Sequence, residues 1–253
     1  MRKLSIIGIG AGNPDHITVQ AIKALNEIDV MFLIEKGQEK DALAALRREF
    51  CERYGKKSCR IVPVKDPERD RTPECYAAAV SAWHSERAAI YEKLLREELA
   101  DGERGAILVW GDPSLYDSTL RIVGQVAAMR TVAFEYDVIP GITSVQALAA
   151  QHRIALNRIG GSVLITTGRQ LTDGLPRDQD DIVVMLDGDC AFNTVKDGDV
   201  DIYWGAYVGT ADEIAVAGKL SERATEIERV RNEARNRHGW IMDTYLLRRN
   251  SAS

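Results

Sequence analysis

The segment that most narrows the fold lies between residues 4 and 34. Leu4-Ser5-Ile6-Ile7-Gly8-Ile9 is a short apolar run with the length of a buried strand. Gly8, Gly10 and Gly12 then mark a turn, and residues 15–25 carry Ile17, Ala21, Ile22 and Leu25 at helical spacing before a second strand-like run over 29–34. Strand, turn, helix and strand in that order form a βαβ unit, whose two strands lie parallel with a right-handed crossover. A parallel sheet needs helices on both faces, so the chain is α/β.

The same alternation continues. Residues 39–53 and 115–129 have helical spacing, whereas 60–64, 106–110 and 131–139 read as strands. A charged stretch with Pro67 and Pro73, residues 66–73, reads as a surface loop. A long helix is expected over 74–99, with Tyr76, Val80, Trp83, Ile90, Leu94 and Leu95 on a face that serves as core or subunit contact. After Pro140–Ser144 comes a short helix to Gln151. The character then changes: 162–166, 181–186, 201–208, 213–217 and 240–247 are strand-like, with one charged helix, 221–237, read as a solvated face. Residues 197–201 lack the spacing of a calcium loop and read as a polar turn. Two α/β domains follow: a parallel one over 1–139 and a mixed-sheet one over 140–253.

Composition removes several function classes. A chain of 253 residues with 45% hydrophobic residues buries a core without disulfide staples. Lys and Arg total 33 against 38 Asp and Glu, a net charge of −5, which argues against a nucleic-acid partner, because such binding needs an excess of cations. No apolar run approaches the roughly 18 residues of a membrane span. Arg2 and Lys3 precede a run broken by glycines, which does not suit a secretory leader, and a cytoplasmic protein is expected. Cys51, Cys59, Cys75 and Cys190 show no CxxC spacing and the four histidines are scattered, so no metal is expected.

Three turns carry the chemistry, and each follows an expected strand: Gly8-Ile9-Gly10-Ala11-Gly12-Asn13-Pro14-Asp15, Gly111-Asp112-Pro113-Ser114-Leu115-Tyr116 and Pro140-Gly141-Ile142-Thr143-Ser144. Ligands of open α/β sheets bind beyond the carboxyl ends of the strands, and glycine there lets the backbone approach a ligand closely. The first turn spells G-x-G-x-G, with Asn13 and Pro14 where a dinucleotide fingerprint would complete G-x-G-x-x-G. A Walker sequence is also absent from the chain.

Taken together and in this order, the three turns resemble those of the tetrapyrrole methylase family. The likeness extends over nearly the whole chain, including Val183–Leu186 and the Gly209-Thr210…Ala217-Gly218 stretch. The resemblance implies two α/β domains with the cofactor, S-adenosyl-L-methionine, in a cleft between them. It implies cofactor contacts at Asn13, Trp110, Gly111, Asp112, Leu115, Thr143, Ser144, Leu186 and Gly209, and a homodimer. Many relatives have Pro in place of Asn13 and Gly in place of Trp110. Residues 201–207 and 235–249 are most similar to members that methylate C-1 of precorrin-5 and release the extruded two-carbon unit as acetate, on the aerobic route to cobalamin.

A sulfonium donor leaves as a neutral thioether and an enamine-like ring carbon is itself the nucleophile, so holding the two in line supplies much of the acceleration. Asp112 is a candidate for the ligand's ammonium or for orienting its loop, with capping of a helix near Ser114 as the plain alternative. Loss of the acyl group calls for a base. Tyr116 leads the candidates, followed by Glu35, His238 and Asp243. Arg121, Arg153, Arg158 and Arg169 are candidates for the substrate's carboxylates. Other readings stay open: a nicotinamide-dependent oxidoreductase using the first turn, a binding module without turnover, or a tetrapyrrole methylase acting at another ring carbon. The acidic balance disfavours an RNA methylase.

Overall fold

The computed structural model describes residues 1–35, 41–67, 75–171, 174–196 and 198–250. The chain divides into two compact units, Met1–Gly10 with Pro14–Ile142, and Ala11–Asn13 with Thr143–Ser253.

The first unit holds β1 (Arg2–Gly8), α1 (Val19–Leu25), β2 (Val30–Glu35), α2 (Asp41–Tyr54), β3 (Arg60–Lys65), α3 (Tyr76–Glu97), β4 (Arg104–Val109), α4 (Thr119–Met129) and β5 (Phe134–Ile139). Its five strands are all parallel, in the order β3-β2-β4-β1-β5. The two-residue period of a strand sorts the apolar residues onto opposite faces. Leu4, Ile6, Val30, Phe32, Ile34, Ile107 and Val109 pack with Ala88, Tyr91 and Leu95 of α3 and Ile122, Val123 and Val126 of α4. Ile7, Met31, Leu33, Ala106 and Leu108 pack with Ala21 and Leu25 of α1 and Phe50 of α2. The long helix therefore buries Ala88, Tyr91 and Leu95, with Leu99 buried just beyond its end and Ile90 and Leu94 only partly buried.

Two helices start four residues later than their spacing predicts. Residues 14–16 form a 3-10 turn, and α1 begins at Val19, where the Thr18 hydroxyl accepts the Ala21 N–H. The second correction bears on the site: α4 begins at Thr119, not Leu115. Tyr116 has a φ of +50°, incompatible with a right-handed helix. Asp112 and Asp117 accept the N–H groups of Ser114 and Thr119, the local side-chain bonds that compete with a helical turn.

The second unit holds α5 (Ser144–His152), β6 (Val163–Thr167), β7 (Asp181–Met185), β8 (Val200–Ala206), β9 (Ile214–Lys219), α6 (Leu220–His238) and β10 (Asp243–Arg249). The sheet order is β6-β7-β10-β8-β9, with β6 and β7 parallel and the remaining pairs antiparallel. Ile182, Val184, Ile202, Trp204, Tyr245 and Leu247 pack with Phe192 and with Leu220, Ile227 and Ala234 of α6. The charged run of α6 is thus not solvated all round, and it also buries Arg231. Residues 39–40 and 68–73, Glu74 and Asp197, on which sequence expectations fell, lie outside the described residues. Among the described residues no helix is long and apolar enough to cross a membrane, and no cluster of three or more His, Cys, Asp or Glu could hold a metal.

Candidate active site

The sheet order makes β4, β1 and β5 neighbours. Gly8 is paired with Val109 and Ile7 with Ile139, so the three strands end level. The turns that follow them, far apart in sequence, leave the sheet side by side. Glycine is needed where they meet. A Cβ on Gly141 would lie 2.1 Å from the Gly111 carbonyl oxygen, and one on Gly8 would lie 2.7 Å from the Gly141 nitrogen. Gly10 and Gly111 exchange backbone hydrogen bonds, with Gly111 N–H to the Gly10 oxygen at 2.8 Å and the return bond at 3.3 Å. Both have positive φ, +84° and +69°, the left-handed region that glycine enters without steric cost.

Asp112 ties two of these turns together. One carboxylate oxygen accepts the Ser114 N–H and hydroxyl, and the other accepts the Gly141 N–H at 2.8 Å. Burial alone would raise its pKa, but the Ser114 hydroxyl and the N–H groups of Gly141 and Ser114 outweigh that and hold it below the ordinary carboxylate value. No helix starts near Ser114, so Asp112 clamps loops and caps nothing. Leu115 donates its N–H to the Asp112 carbonyl at 3.2 Å and is partly buried. Tyr116 projects from this loop 44% exposed, and its partial burial raises the phenol pKa. Trp110, directly after β4, carries a buried indole Nε1 without a hydrogen-bond partner among the described residues.

In the second unit, Thr143 caps α5. Its hydroxyl accepts the Gln146 N–H at 3.4 Å while the Gln146 side chain accepts the Thr143 N–H at 2.9 Å. The Ser144 hydroxyl bonds the Thr244 hydroxyl at 3.2 Å. Leu186 follows β7 with a φ of +53° and is 65% exposed. The left-handed conformation costs a residue with a Cβ about 1–2 kcal/mol. Gly209 has a φ of +85° and gives its N–H to Glu213. Tyr207, buried with a φ of +50°, donates its hydroxyl to the Trp240 carbonyl. Asn13, of the same unit, is partly buried.

Behind Leu186 lies a buried polar network that the sequence does not announce. The Asp187 carboxylate accepts the N–H groups of Asp189 and Ala191 and the Tyr245 hydroxyl at 2.7 Å. Arg231 donates to the carbonyls of Asp187 and Gly188 and, at 2.9 Å, to Asp243, which also accepts the Trp204 indole N–H at 3.0 Å. Burial raises the Asp243 pKa, with the Arg231 charge opposing. Asp243, a candidate base in the sequence, is therefore an internal ion-pair partner. The one signal along the chain is Arg231 standing four residues after the apolar Ile227 of α6.

The remaining candidates fall in varied settings. Glu35 ends β2. His238 ends α6, its ring 4.9 Å from that of Tyr207. Arg121 is exposed on α4, and Arg153 is the left-handed C-cap of α5. Arg158 is engaged with the Arg249 carbonyl and lies 4.0 Å from Asp180 and Asp181. Arg169 is exposed in a 3-10 turn.

The geometry weighs against a dinucleotide site. Such a site needs a glycine turn that runs directly into a helix N-terminus, but here α1 starts only at Val19 and Thr18 caps it. The donor set fits S-adenosyl-L-methionine better. Within the first unit, backbone groups at the glycine turns suit adenine and ribose edges, and the buried Trp110 indole N–H has no acceptor among the described residues. The three turns contain no Lys or Arg for a phosphate.

Comparison with known proteins agrees with this chemistry. The chain is 54% identical over 250 residues to a precorrin-6A synthase [deacetylating] from Sinorhizobium sp, covering 98% of this chain and 96% of that one. The crystal structure of CobF from Corynebacterium diphtheriae, described as a protein related to cobalamin synthesis, superposes with a TM-score of 0.85 at 39% identity, covering 98% and 99% of the two chains. A uroporphyrin-III C-methyltransferase from Thermus thermophilus, solved with S-adenosylhomocysteine, shares the fold at 16% identity and a TM-score of 0.58, covering 97% and 91%. The model of the Tetrapyrrole (Corrin/Porphyrin) Methylases matches residues 3–224, and the chain belongs to that family.

Proposed function

We infer that this chain is an S-adenosylmethionine-dependent C-methyltransferase of cobalamin biosynthesis, which methylates C-1 of precorrin-5 and releases acetate to give precorrin-6A. The observation that carries the reading is the 54% identity, over nearly the full length of both chains, to a precorrin-6A synthase. In this reading the cofactor is held by Asn13, Trp110, Gly111, Asp112, Leu115, Thr143, Ser144, Leu186 and Gly209. The reading includes a homodimer working in the cytoplasm.

When bound, the cofactor supplies a methyl group on a sulfonium, and its departure as a neutral thioether needs no acid. What the chain must supply is position. Asp112 holds the Gly111 and Gly141 turns at a fixed separation and remains ionised near neutral pH, because its partners are donors. Tyr116 acts in the loss of the acyl group. Burial keeps its phenol protonated at neutral pH, so it serves as a hydrogen-bond donor to the acyl oxygen and not as a base.

Calorimetric titration with S-adenosylhomocysteine, with NAD in parallel, tests the cofactor assignment. Binding of the first alone at one per chain supports it, and binding of NAD alone returns the glycine turn to nicotinamide chemistry. Turnover of precorrin-5 with acetate detection tests the reaction. Methylation without acetate would place the methyl on another ring carbon. A light-scattering mass of one chain would remove the homodimer.

A further inference from the structure

Two cysteines lie at the edge of the first unit opposite the ligand turns. Cys51 is in the last turn of α2, and Cys59 immediately precedes β3, whereas the turns of the candidate site leave the carboxyl ends of β1, β4 and β5. The tight turn between them folds the chain back: Gly55 N–H donates to the Cys51 carbonyl at 2.7 Å, and Cys59 N–H to the Lys56 carbonyl at 2.9 Å. Gly55 is required there, because a Cβ would lie 2.4 Å from the Cys51 carbonyl oxygen. This turn brings the two sulfurs to 3.5 Å, with the Cys51 thiol donating to Cys59.

The two thiols are not equivalent. Cys51 is buried at 5% exposure, and Cys59 is partly exposed. The hydrogen bond from Cys51, with the backbone N–H of Met31 and the Lys56 ammonium, favours the Cys59 thiolate, while the same bond and burial keep Cys51 protonated. A partly exposed thiol biased toward its thiolate, 3.5 Å from a buried thiol that stays protonated, is the arrangement of an attacking and a resolving cysteine. A bond length of about 2.05 Å requires the sulfurs to close by about 1.5 Å, within reach of side-chain rotation on a turn that already holds them together.

We propose that Cys51 and Cys59 form a redox-active dithiol site that reacts with low-molecular-weight disulfides of the glutathione type. The Cys59 thiolate attacks one sulfur of the disulfide, forms a mixed disulfide and releases one small thiolate. Cys51 then attacks the Cys59 sulfur, and the second small thiol leaves with the Cys51 proton. The protein dithiol is oxidised by two electrons and the small disulfide is reduced to two thiols. The site is independent of the methyltransferase reading, and Cys75 and Cys190 take no part in it.

The test uses the full chain with oxidised glutathione, followed by peptide mass mapping with and without reductant. In the wild type, the 51 and 59 peptides are expected as one cross-linked pair two hydrogens lighter, with no adduct on either. Cys51→Ser should trap a stable glutathione adduct on Cys59, and Cys59→Ser should leave Cys51 unmodified. Cys75, which is exposed, reports that the reagent is active. A lasting adduct on wild-type Cys59, or free Cys51 and Cys59 under conditions that modify Cys75, would overturn the proposal. Because the wild-type result stands alone, a variant that fails to fold does not shelter it.

Discussion

Asp112 in the first unit and Leu186 in the second show what single side chains contribute, each within its own unit. Asp112 accepts bonds from Ser114 and from Gly141 across two turns. Hydrogen bonds to a charged group are worth about 1.5–3 kcal/mol, and partial exposure puts this case at the low end. Asp112→Ala is therefore expected to weaken S-adenosylhomocysteine binding about 10-fold, read by calorimetry. The folded carboxyl titrates below its unfolded value of about 3.9, so its contribution is fully present above that pH and is lost as the pH falls through the folded pKa. Affinity should accordingly hold from about pH 5 upward, and the acid-side loss due to this group should vanish in Asp112→Asn. Leu186 separates stability from binding. Leu186→Gly relieves a left-handed conformation costing about 1–2 kcal/mol and adds a chain-entropy cost of about 0.5–1 kcal/mol. Urea unfolding should stay within about 1 kcal/mol of wild type, while the ligand affinity falls about 10-fold through lost apolar contact. A marked loss of stability would show that Leu186 is a packing residue.

The elements around these residues are held by close approach and by a buried charge pair. Gly141 sits where β5 ends, against the Gly111 carbonyl, and a methyl group there has no space to occupy. Gly141→Ala should destabilise the first unit by about 1–3 kcal/mol and should abolish detectable S-adenosylhomocysteine binding, since the turns must part. In the second unit, Arg231 of α6 and Asp243 of β10 are both almost fully buried and 2.9 Å apart. Removing one partner of a buried pair leaves an uncompensated charge and costs about 3–5 kcal/mol. Arg231→Met should lower the urea midpoint accordingly, whereas the double change with Asp243→Leu should recover much of that loss. These bonds also anchor the carbonyls of Asp187 and Gly188 just after Leu186, so a weaker ligand affinity should accompany the single change.

For the protein as a folded whole, the expected outcome is ligand-linked stability. A saturating ligand at 100 times its Kd stabilises the native state by about 2.7 kcal/mol, so S-adenosylhomocysteine should raise Tm in thermal unfolding while NAD leaves it unchanged. The opposite pattern would sink the methyltransferase reading and favour the oxidoreductase. The location of the glycine turns is legible in the amino-acid order, because a strand followed by G-x-G or I-P-G has few ways to continue. The start of α4 is not. The apolar spacing of 115–129 fits a helix throughout, and only the side-chain bonds of Asp112 and Asp117 and the left-handed Tyr116 show that a loop extends to Ser118.

What the residues settled alone were the local choices: the two-residue alternation that splits the β1 and β2 side chains between two cores, the glycines that allow close approach, and an ordered set of turns specific enough to name a family. Those follow from sterics and solvent transfer acting within a few residues. What needed the folded chain was every relation between distant segments. The β4-β1-β5 adjacency lines up turns about residues 8, 111 and 141. The clamp of Asp112 on Gly141, and the burial of Arg231 from an otherwise charged helix onto Asp243, are equally invisible along the chain. A hydrogen bond or ion pair forms wherever the sheet order brings two groups within about 3 Å. That order is chosen by the packing of the whole core, and no local pattern encodes it.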